Sequence, residues 1–485
     1  MPPDSASAAL PASPPPADAA RAARAARMIP FIVGVALFMQ MLDSTVVATA
    51  LPAMAAALDS TPVRLNVAIT SYLLAAAVFV PVSGWAADRY GARRVFVFAI
   101  ALFTLSSIGC ALSQNLPQLV MGRIAQGVAG AMMVPVGRII LLHIVPKENL
   151  LHAMSFLAIP ALVGPVIGPP IGGFMVTYMS WHWIFLINIP IGVLGIAMVL
   201  HYIEEIREDD TPRLDGLGFV LSGVCLATLV SGFESLGHGF SAWPETIALV
   251  VVGLASGWLY VLHARRAPHP IIDLSLLEIP TFAISVLGGN LCRFIVGAMP
   301  FLLAMQLQVG FGLSPFEAGM ITFASAAGAM AMKFVAPRII ARFGFRHVLT
   351  VNAVTAGAFV IVCVAFTPGM PSWTMIAILL LAGFFRSLQF TCVNTLTYSD
   401  ITPERMSHAS SFAAMAQQLG VTLGVGVAAL VMHLSMALRG STSLAIIDVD
   451  AGYVVIGLLC VASIVSFRRL PPLAGANLNL GKRHS

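Results

Sequence analysis

The sequence predicts an all-α polytopic membrane protein with fourteen transmembrane helices, arranged 6 + 2 + 6 in two pseudo-symmetric halves. Three observations predict it. The 485 residues are 58% hydrophobic and only 10% Asp, Glu, Lys or Arg, where soluble domains carry roughly 25%. The apolar runs extend past the ~18 residues that mark a spanning helix, whereas barrel strands alternate over ~10. A loop pattern at Arg89-Tyr90-Gly91-Ala92-Arg93-Arg94-Val95 returns at Arg342-Phe343-Gly344-Phe345-Arg346-His347-Val348, 253 residues later. These figures exclude a soluble globular domain and a disordered chain.

Residues 1–27 are rich in Ala and Pro and end on Arg21, Arg24 and Arg27. They read as a disordered cytoplasmic tail with a basic flank. A cleavable signal peptide is the rival, but the next run is long enough to cross a bilayer and no small-residue cleavage site stands out. Six apolar stretches follow, at 28–51, 66–87, 95–113, 117–138, 150–178 and 183–202, and form an N-terminal half over 28–203. An acidic loop from Glu204 to Asp215 opens an insertion, 204–279, with two further stretches at 215–234 and 245–263. Six more, at 280–305, 315–337, 345–366, 373–396, 409–434 and 450–467, form a C-terminal half over 280–468. A short cytoplasmic tail, 469–485, closes the chain. Paired six-helix halves point to a transporter whose site lies between them.

Loop charge supports this count. With the N-terminus in the cytoplasm, cytoplasmic segments hold 21 of the 26 Lys and Arg residues; Arg64 and Arg439 fall outside, and Arg123, Arg293 and Arg386 lie inside spans. That asymmetry is the positive-inside pattern, and it puts both termini in the cytoplasm. The net charge of +5 is then a property of basic loops and gives no reason to expect nucleic acid. All six cysteines sit in apolar runs with no C-x-x-C pair, so they read as membrane-core thiols. His143, His408 and His433 show no metal-ligand spacing.

In the first span, near Gln40, Asp43 is the one acid of 21 well inside a span; Glu234 and Glu317 fall at span ends. A desolvated carboxylate is a proton-site candidate. Its rival is a permanent ion pair with Arg123. The loop after the second span carries Gly84, Asp88, Arg89, Gly91 and Arg93. Glycine lets it turn tightly, and its arginines could form ion pairs across the cytoplasmic face. A plain basic loop is the alternative. In the fourth span Arg123, Gln126 and Gly130 share a helical face. An arginine at mid-membrane costs about 2.5–3.5 kcal/mol or more, so it needs a partner or an aqueous cavity. In the fifth span Gly164, Gly168 and Gly172 recur every four residues beside Pro165, a bare, kinked face suited to a pivot or seal between halves.

The C-terminal half offers Asn290, Arg293 and Gly297 on one face of the ninth span, then Arg386, Gln389, Phe390 and Asn394 on one face of the twelfth, then Gln417 and Gln418 in the thirteenth. With Gln40 and Gln126 these polar groups and Phe390 are the substrate-binding candidates. No acid lies deep in the C-terminal spans, so buried positive charge favours an anionic or strongly polar substrate. Arginines bonded to helix carbonyls or polar neighbours are the alternative.

Several of these segments resemble those of the major facilitator superfamily. Gly84 to Arg94 matches the G-x-x-x-D-R-x-G-x-R-R loop, which latches the cytoplasmic side in that family; the second copy has Ala341 in place of Asp88. Arg123 to Gly130 resembles the R-x-x-Q-G motif, where the arginine is tied to proton coupling. Gly164 to Gly173 resembles the motif that marks antiporters. Leu42 to Pro52 and Trp181 to Pro190 resemble signatures of the fourteen-span EmrB/QacA-type drug:proton antiporter branch, nearest to its MdtD-like group, with His182 in place of the usual Arg. The resemblance covers roughly 28–468. It implies a proton-coupled antiporter of a bacterial inner membrane that exports small molecules or drugs by alternating access. Asp43 and Arg123 would couple protons, the proton gradient would replace any cofactor, and a monomer in the lipid bilayer would suffice. The charge argument implies a different cargo: an organic anion, such as a carboxylate metabolite or its metal chelate. No phosphate loop, H-E-x-x-H or G-x-S-x-G occurs, which argues against an ATP-driven pump or a hydrolase. A receptor or scaffold would leave Asp43, Arg123 and the repeat unexplained.

Overall fold

The structure is a computed structural model that describes residues 16–144, 163–164, 166–205, 213–235, 243–268, 270–402, 405–441, 443–472 and 474. Among the described residues fourteen main helices make up the bundle. The first six are α1 (Pro16–Ala57), α2 (Val67–Tyr90), α3 (Ala92–Ala111), α4 (Leu116–Ile144), α5 (Val166–Tyr178 as described) and α6 (Asn188–Tyr202). The inserted pair is α7 (Gly216–Ser235) and α8 (Trp243–Ala264). The last six are α9 (Pro280–Gly310), α10 (Pro315–Phe343), α11 (Phe345–Val362), α12 (Ser372–Thr397), α13 (Met406–Leu438) and α14 (Ile446–Phe467). Among the described residues, twelve spans are long and apolar enough to cross a membrane, while the described part of α5 and α7 are shorter apolar helices.

The first helix begins at Pro16, twelve residues before the expected 28. Its Ala- and Arg-rich start has among the highest helix propensities available, so the basic flank, expected in a disordered tail, continues α1; residues 1–15 lie outside the described residues. The last span also starts early, at Ile446. That brings Asp448 and Asp450 into its first turns, so Asp43 is not the only acid within a span. Asp448 is fully buried and pinned: it takes the Ala445 N–H at 2.8 Å, the Ser435 hydroxyl at 2.6 Å and an ion pair from Arg439.

The sequence repeat is also a structural repeat. Gly91 (φ +96°) ends α2 and Gly344 (φ +72°) ends α10, both in the region glycine adopts without strain. Each donates its N–H to the carbonyl four residues back at 2.9 Å, Gly91 to Ala87 and Gly344 to Ile340. Each then accepts from the residue four ahead at 3.1 Å, Val95 and Val348, which opens the next helix.

Lipid is as apolar as a leucine side chain, so close contact of small residues has to hold the halves together. Two such contacts lie at the end remote from the basic turns. A methyl on Gly173 would overlap the Pro315 carbonyl, and one on Gly319 would overlap the Pro169 carbonyl. Hydrogen bonds flank them: Phe316 N–H to Thr177 Oγ1 at 3.1 Å and Gln308 Nε2 to the Thr49 carbonyl at 2.8 Å.

The inserted hairpin lies beside both halves. Phe219 of α7 meets Phe79 of α2 edge-on, with centroids 5.3 Å apart. Leu226, Tyr260 and the 270–279 linker share a buried apolar cluster with Phe282 and the Ala409–Ala416 stretch of α13. Polar ties hold the linker: Tyr260 Oη bonds Ile272, and Arg405 pairs with Asp273 at 2.9 Å.

Candidate functional site

A cavity of about 430 Å³ opens between the halves. Its N-terminal wall comes from α1, α2, α4 and α5 and includes Gln40, Ser44, Thr49, Tyr72 and Arg123. Its C-terminal wall comes from α9, α10, α12 and α13 and includes Lys333, Arg386, Phe390, Gln417 and Gln418.

Asp43 and Arg123 meet at the N-terminal wall. Each is 1% exposed, and Arg123 Nη1 donates to Asp43 Oδ2 at 2.6 Å. The face shared by Arg123 and Gln126 brings the carboxamide into the same cluster: Arg123 Nη1 donates to Gln126 Oε1 at 2.7 Å. Asp43 Oδ1 accepts from Gln126 Nε2 and from Asn188 Nδ2, both at 3.3 Å. Ser107 Oγ accepts from the same two amides at 2.7 and 3.2 Å. Arg123 Nε donates to the Ala68 carbonyl at 3.0 Å, and its guanidinium sits 4.3 Å from the centre of the Tyr72 ring. Five helices, α1 to α4 and α6, thus surround one ion pair. Burying either charge alone would cost several kcal/mol, and the partner and donor amides offset that cost.

The C-terminal wall carries positive charge without acid. Arg386 lines the cavity and makes no hydrogen bond or ion pair among the described residues. Lys333 donates to Thr391 Oγ1 at 3.1 Å and lies 5.8 Å from the Phe390 ring centre. Lys333, included in the cytoplasmic charge total although it falls in the 315–337 stretch, lies ten residues before the end of α10, about 15 Å at a helical rise. Lys333 thus joins Arg123, Arg293 and Arg386 as a cation well inside a described helix. Arg293 lies outside the main cavity, donating to Asn290 Oδ1 at 3.1 Å and Asn394 Oδ1 at 2.8 Å.

The substrate-binding candidates therefore divide. Gln40, Arg386, Phe390 and Gln417 face the cavity. Gln126 is sealed inside the Asp43 cluster. Gln389 is 2% exposed and bonds Asn352, the Leu349 carbonyl and Cys292. Asn290 and Asn394 hold Arg293. These four satisfy neighbouring polar groups within their own halves, which is why they do not reach the cavity. Tyr72, Lys333, Ser107 and Asn188 belong to the site and were not among the candidates. Asn188 stood inside the Trp181 to Pro190 segment, a signal available in the sequence.

The motif glycines pack within their own half. Methyls on Gly164, Gly168 and Gly172 would collide with Met41, Thr45 and Val46 of α1. The every-four face points at α1 of the same half, whereas the close backbone contacts between the halves are at Gly173 and Gly319. Pro165 lies outside the described residues. In the α2–α3 turn Asp88 is half-buried and Arg89 exposed. Arg93 bonds the Leu200 carbonyl at 2.6 Å and Arg94 pairs with Glu205 at 3.2 Å, so these arginines brace α6 of the same half. A methyl on Gly84 would meet nothing within 4 Å among the described residues. Gly297 lies against Val421 of α13.

Comparison with known proteins gives a consistent picture. The family model described as Major Facilitator Superfamily matches residues 33–299 and 281–484. The chain is 41% identical over 408 residues to "Putative multidrug resistance protein MdtD" of Escherichia coli O6:H1, covering 83% of this chain and 86% of that protein. Among solved structures, the POT family transporter PepTSo aligns with a TM-score of 0.68 at 13% identity, over 91% of this chain and 97% of its own. A D-xylose-proton symporter aligns at 0.65 and 15%, over 93% and 98%. At those identities the structural likeness concerns the fold alone.

Proposed function

We propose that this chain, which belongs to the Major Facilitator Superfamily, is a proton-coupled antiporter that exports small molecules across a bacterial inner membrane by alternating access. It is a multi-pass membrane transporter and not an enzyme. The observation that carries the reading is the buried Asp43–Arg123 pair on the wall of a cavity lined by both halves. With the basic turns in the cytoplasm, the Gly173–Gly319 contact closes the external end and the cavity faces inward. Rocking of the halves would open that contact and expose the cavity to the other side. Protonation of Asp43 breaks its charge pairing with Arg123, so proton uptake and the paired state exclude each other. The gradient supplies the energy, and no cofactor is required. A monomer contains both walls of the site.

The test is flux in proteoliposomes with an imposed pH gradient, using ethidium as a lipophilic cation and labelled benzoate and succinate as organic anions. The reading expects uphill, gradient-driven movement of a probe. Flux in every case indifferent to the gradient would contradict it.

A second reading concerns cargo charge. Arg386 and Lys333 face the cavity with no acid opposite them among the described lining residues. Asp43, behind the opposite wall, already has Arg123 as its partner. This favours an organic anion, such as a carboxylate metabolite or its chelate, over a lipophilic cation. Arg386→Ala and Lys333→Ala would then abolish transport of the anion probe while sparing ethidium binding.

A further inference from the structure

The repeat that relates the two halves reaches further than the basic turns. At the same separation of 253 residues, Thr61 and Ser314 each cap a helix by accepting the backbone N–H three residues on, from Arg64 and Glu317, and each is followed by a proline, Pro62 and Pro315. The first helix of each half ends in the same register, α1 at Ala57 and α9 at Gly310. In the fourth helix of each half an arginine precedes a glutamine by three residues: Arg123 and Gln126 in α4, Arg386 and Gln389 in α12. Each glutamine reaches the third helix of its own half. Gln126 donates to Ser107 of α3 at 2.7 Å, and Gln389 accepts from Asn352 of α11 at 2.8 Å. Arg386 is therefore the counterpart of Arg123. What differs is the acid. The position 253 residues after Asp43 is Val296, and no acid occurs anywhere in α9. Val296 still lies beside Arg386: both line the main cavity, and both line a side cavity of about 10 Å³ together with Arg293, Gln389 and Phe390. Arg293 is 2% exposed; its Nη atoms are held by Asn290 and Asn394, and its Nε is unpaired. Two guanidiniums thus flank one recess that contains no acid among its described lining residues.

We propose that this recess seats a free carboxylate of the cargo, which binds Arg386 in the way Asp43 binds Arg123. The proposal deepens the organic-anion reading above and rests on it. A buried cation without a counter-charge is costly, and a bound carboxylate removes that cost while the cargo is aboard. Guanidinium presents a planar fork of donors that matches the two oxygens of a carboxylate. Arg293 adds a second positive charge to the same recess. The side cavity holds about one water's worth of space, so it takes the head group alone and the body of the cargo stays in the main cavity. Phe390, which lines both, offers that body an apolar face. The carboxylate must therefore be free: an amide of the same acid has the same shape and no charge to give Arg386.

The experiment measures equilibrium binding of labelled benzoate and labelled succinate to the full-length protein in lipid nanodiscs at neutral pH. Unlabelled benzoate is expected to displace labelled benzoate; benzamide, chloride and inorganic phosphate at the same concentration are not. Val296→Asp supplies the acid from the protein itself and is expected to weaken benzoate binding by about 10- to 100-fold, the worth of a hydrogen bond to a charged group. Val296→Asn has the same shape without the charge and retains binding. Thermal unfolding without ligand gives a second readout. Val296→Asp is expected to unfold at a higher temperature than Val296→Asn, because only the acid neutralises Arg386, and adding Arg386→Ala to both removes that difference. Equal benzoate binding by the two Val296 variants, or displacement by benzamide, chloride or phosphate as effective as by benzoate, overturns the carboxylate seat. Val296→Asp no more stable than Val296→Asn overturns Arg386 as the counterpart that lacks an acid. Saturable binding of neither benzoate nor succinate to the wild type overturns the organic-anion reading, and the seat with it.

Discussion

Removing one partner of the Asp43–Arg123 pair leaves the other as a charge without a counter-ion in the protein interior. Both are 1% exposed, so Arg123→Ala is expected to destabilise the protein by about 3–5 kcal/mol. Replacing both by leucine removes both charges, and that double variant should be more stable than Arg123→Ala although it cannot transport. Thermal unfolding of the purified variants in detergent checks the order; a double variant no more stable than the single one would mean that the pair is not charge-balanced. At this scale the sequence revealed the chemistry better than the geometry. Asp43 and Arg123 stood out because ionisable groups in apolar runs are rare. Helical spacing put Gln389 and Asn394 on one face with Arg386, but it does not say which neighbour that face meets. Gln389 meets Asn352, and Asn394 meets Arg293. Lys333 lies within the apolar stretch 315–337 but was overlooked there because its charge was tallied with the cytoplasmic segments; α10 carries it well inside the helix.

Between elements, the contacts that join the halves at the end remote from the basic turns depend on two glycines, one in each half. Gly319 lies against the Pro169 carbonyl carbon, which a methyl there would approach to 2.9 Å. Gly319→Val is therefore expected to wedge α10 away from α5 and shift the population toward the state open at this end. Thr49, 7% exposed beside that contact, reports it. A Thr49→Cys substitution should resist a membrane-impermeant maleimide added from outside in the wild-type background and react in the Gly319→Val background. Equal labelling in both would show that this contact does not gate the cavity. The every-four glycine run was legible as a packing face; its partner was not, since nothing in a one-dimensional pattern distinguishes α1 of the same half from α10 of the other. The start of α1 was misplaced for a related reason. Composition flagged a tail, whereas Ala–Arg propensity continues the helix back to Pro16.

For the molecule as a whole, the 6 + 2 + 6 arrangement follows from hydropathy, loop charge and the repeated turn, and the matching bonds of Gly91 and Gly344 express that repeat in three dimensions. Hydropathy is legible because a helix is the open-ended element that satisfies its own backbone in lipid. The place of the inserted hairpin was not legible, because its contacts with α2 and α13 are apolar and carry no sequence signature. The division of labour between the halves is likewise three-dimensional: an ion pair sealed into one wall, unneutralised cations on the other, and a cavity between them. The account's central claim is that Asp43 exchanges the driving proton and does not bind the cargo itself. The most direct test compares Asp43→Asn with wild type in proteoliposomes, using a probe that the wild type accumulates, for both exchange across equal pH and accumulation against a pH gradient. The account predicts that Asp43→Asn keeps exchange and loses gradient-driven accumulation; accumulation at the wild-type level would contradict it.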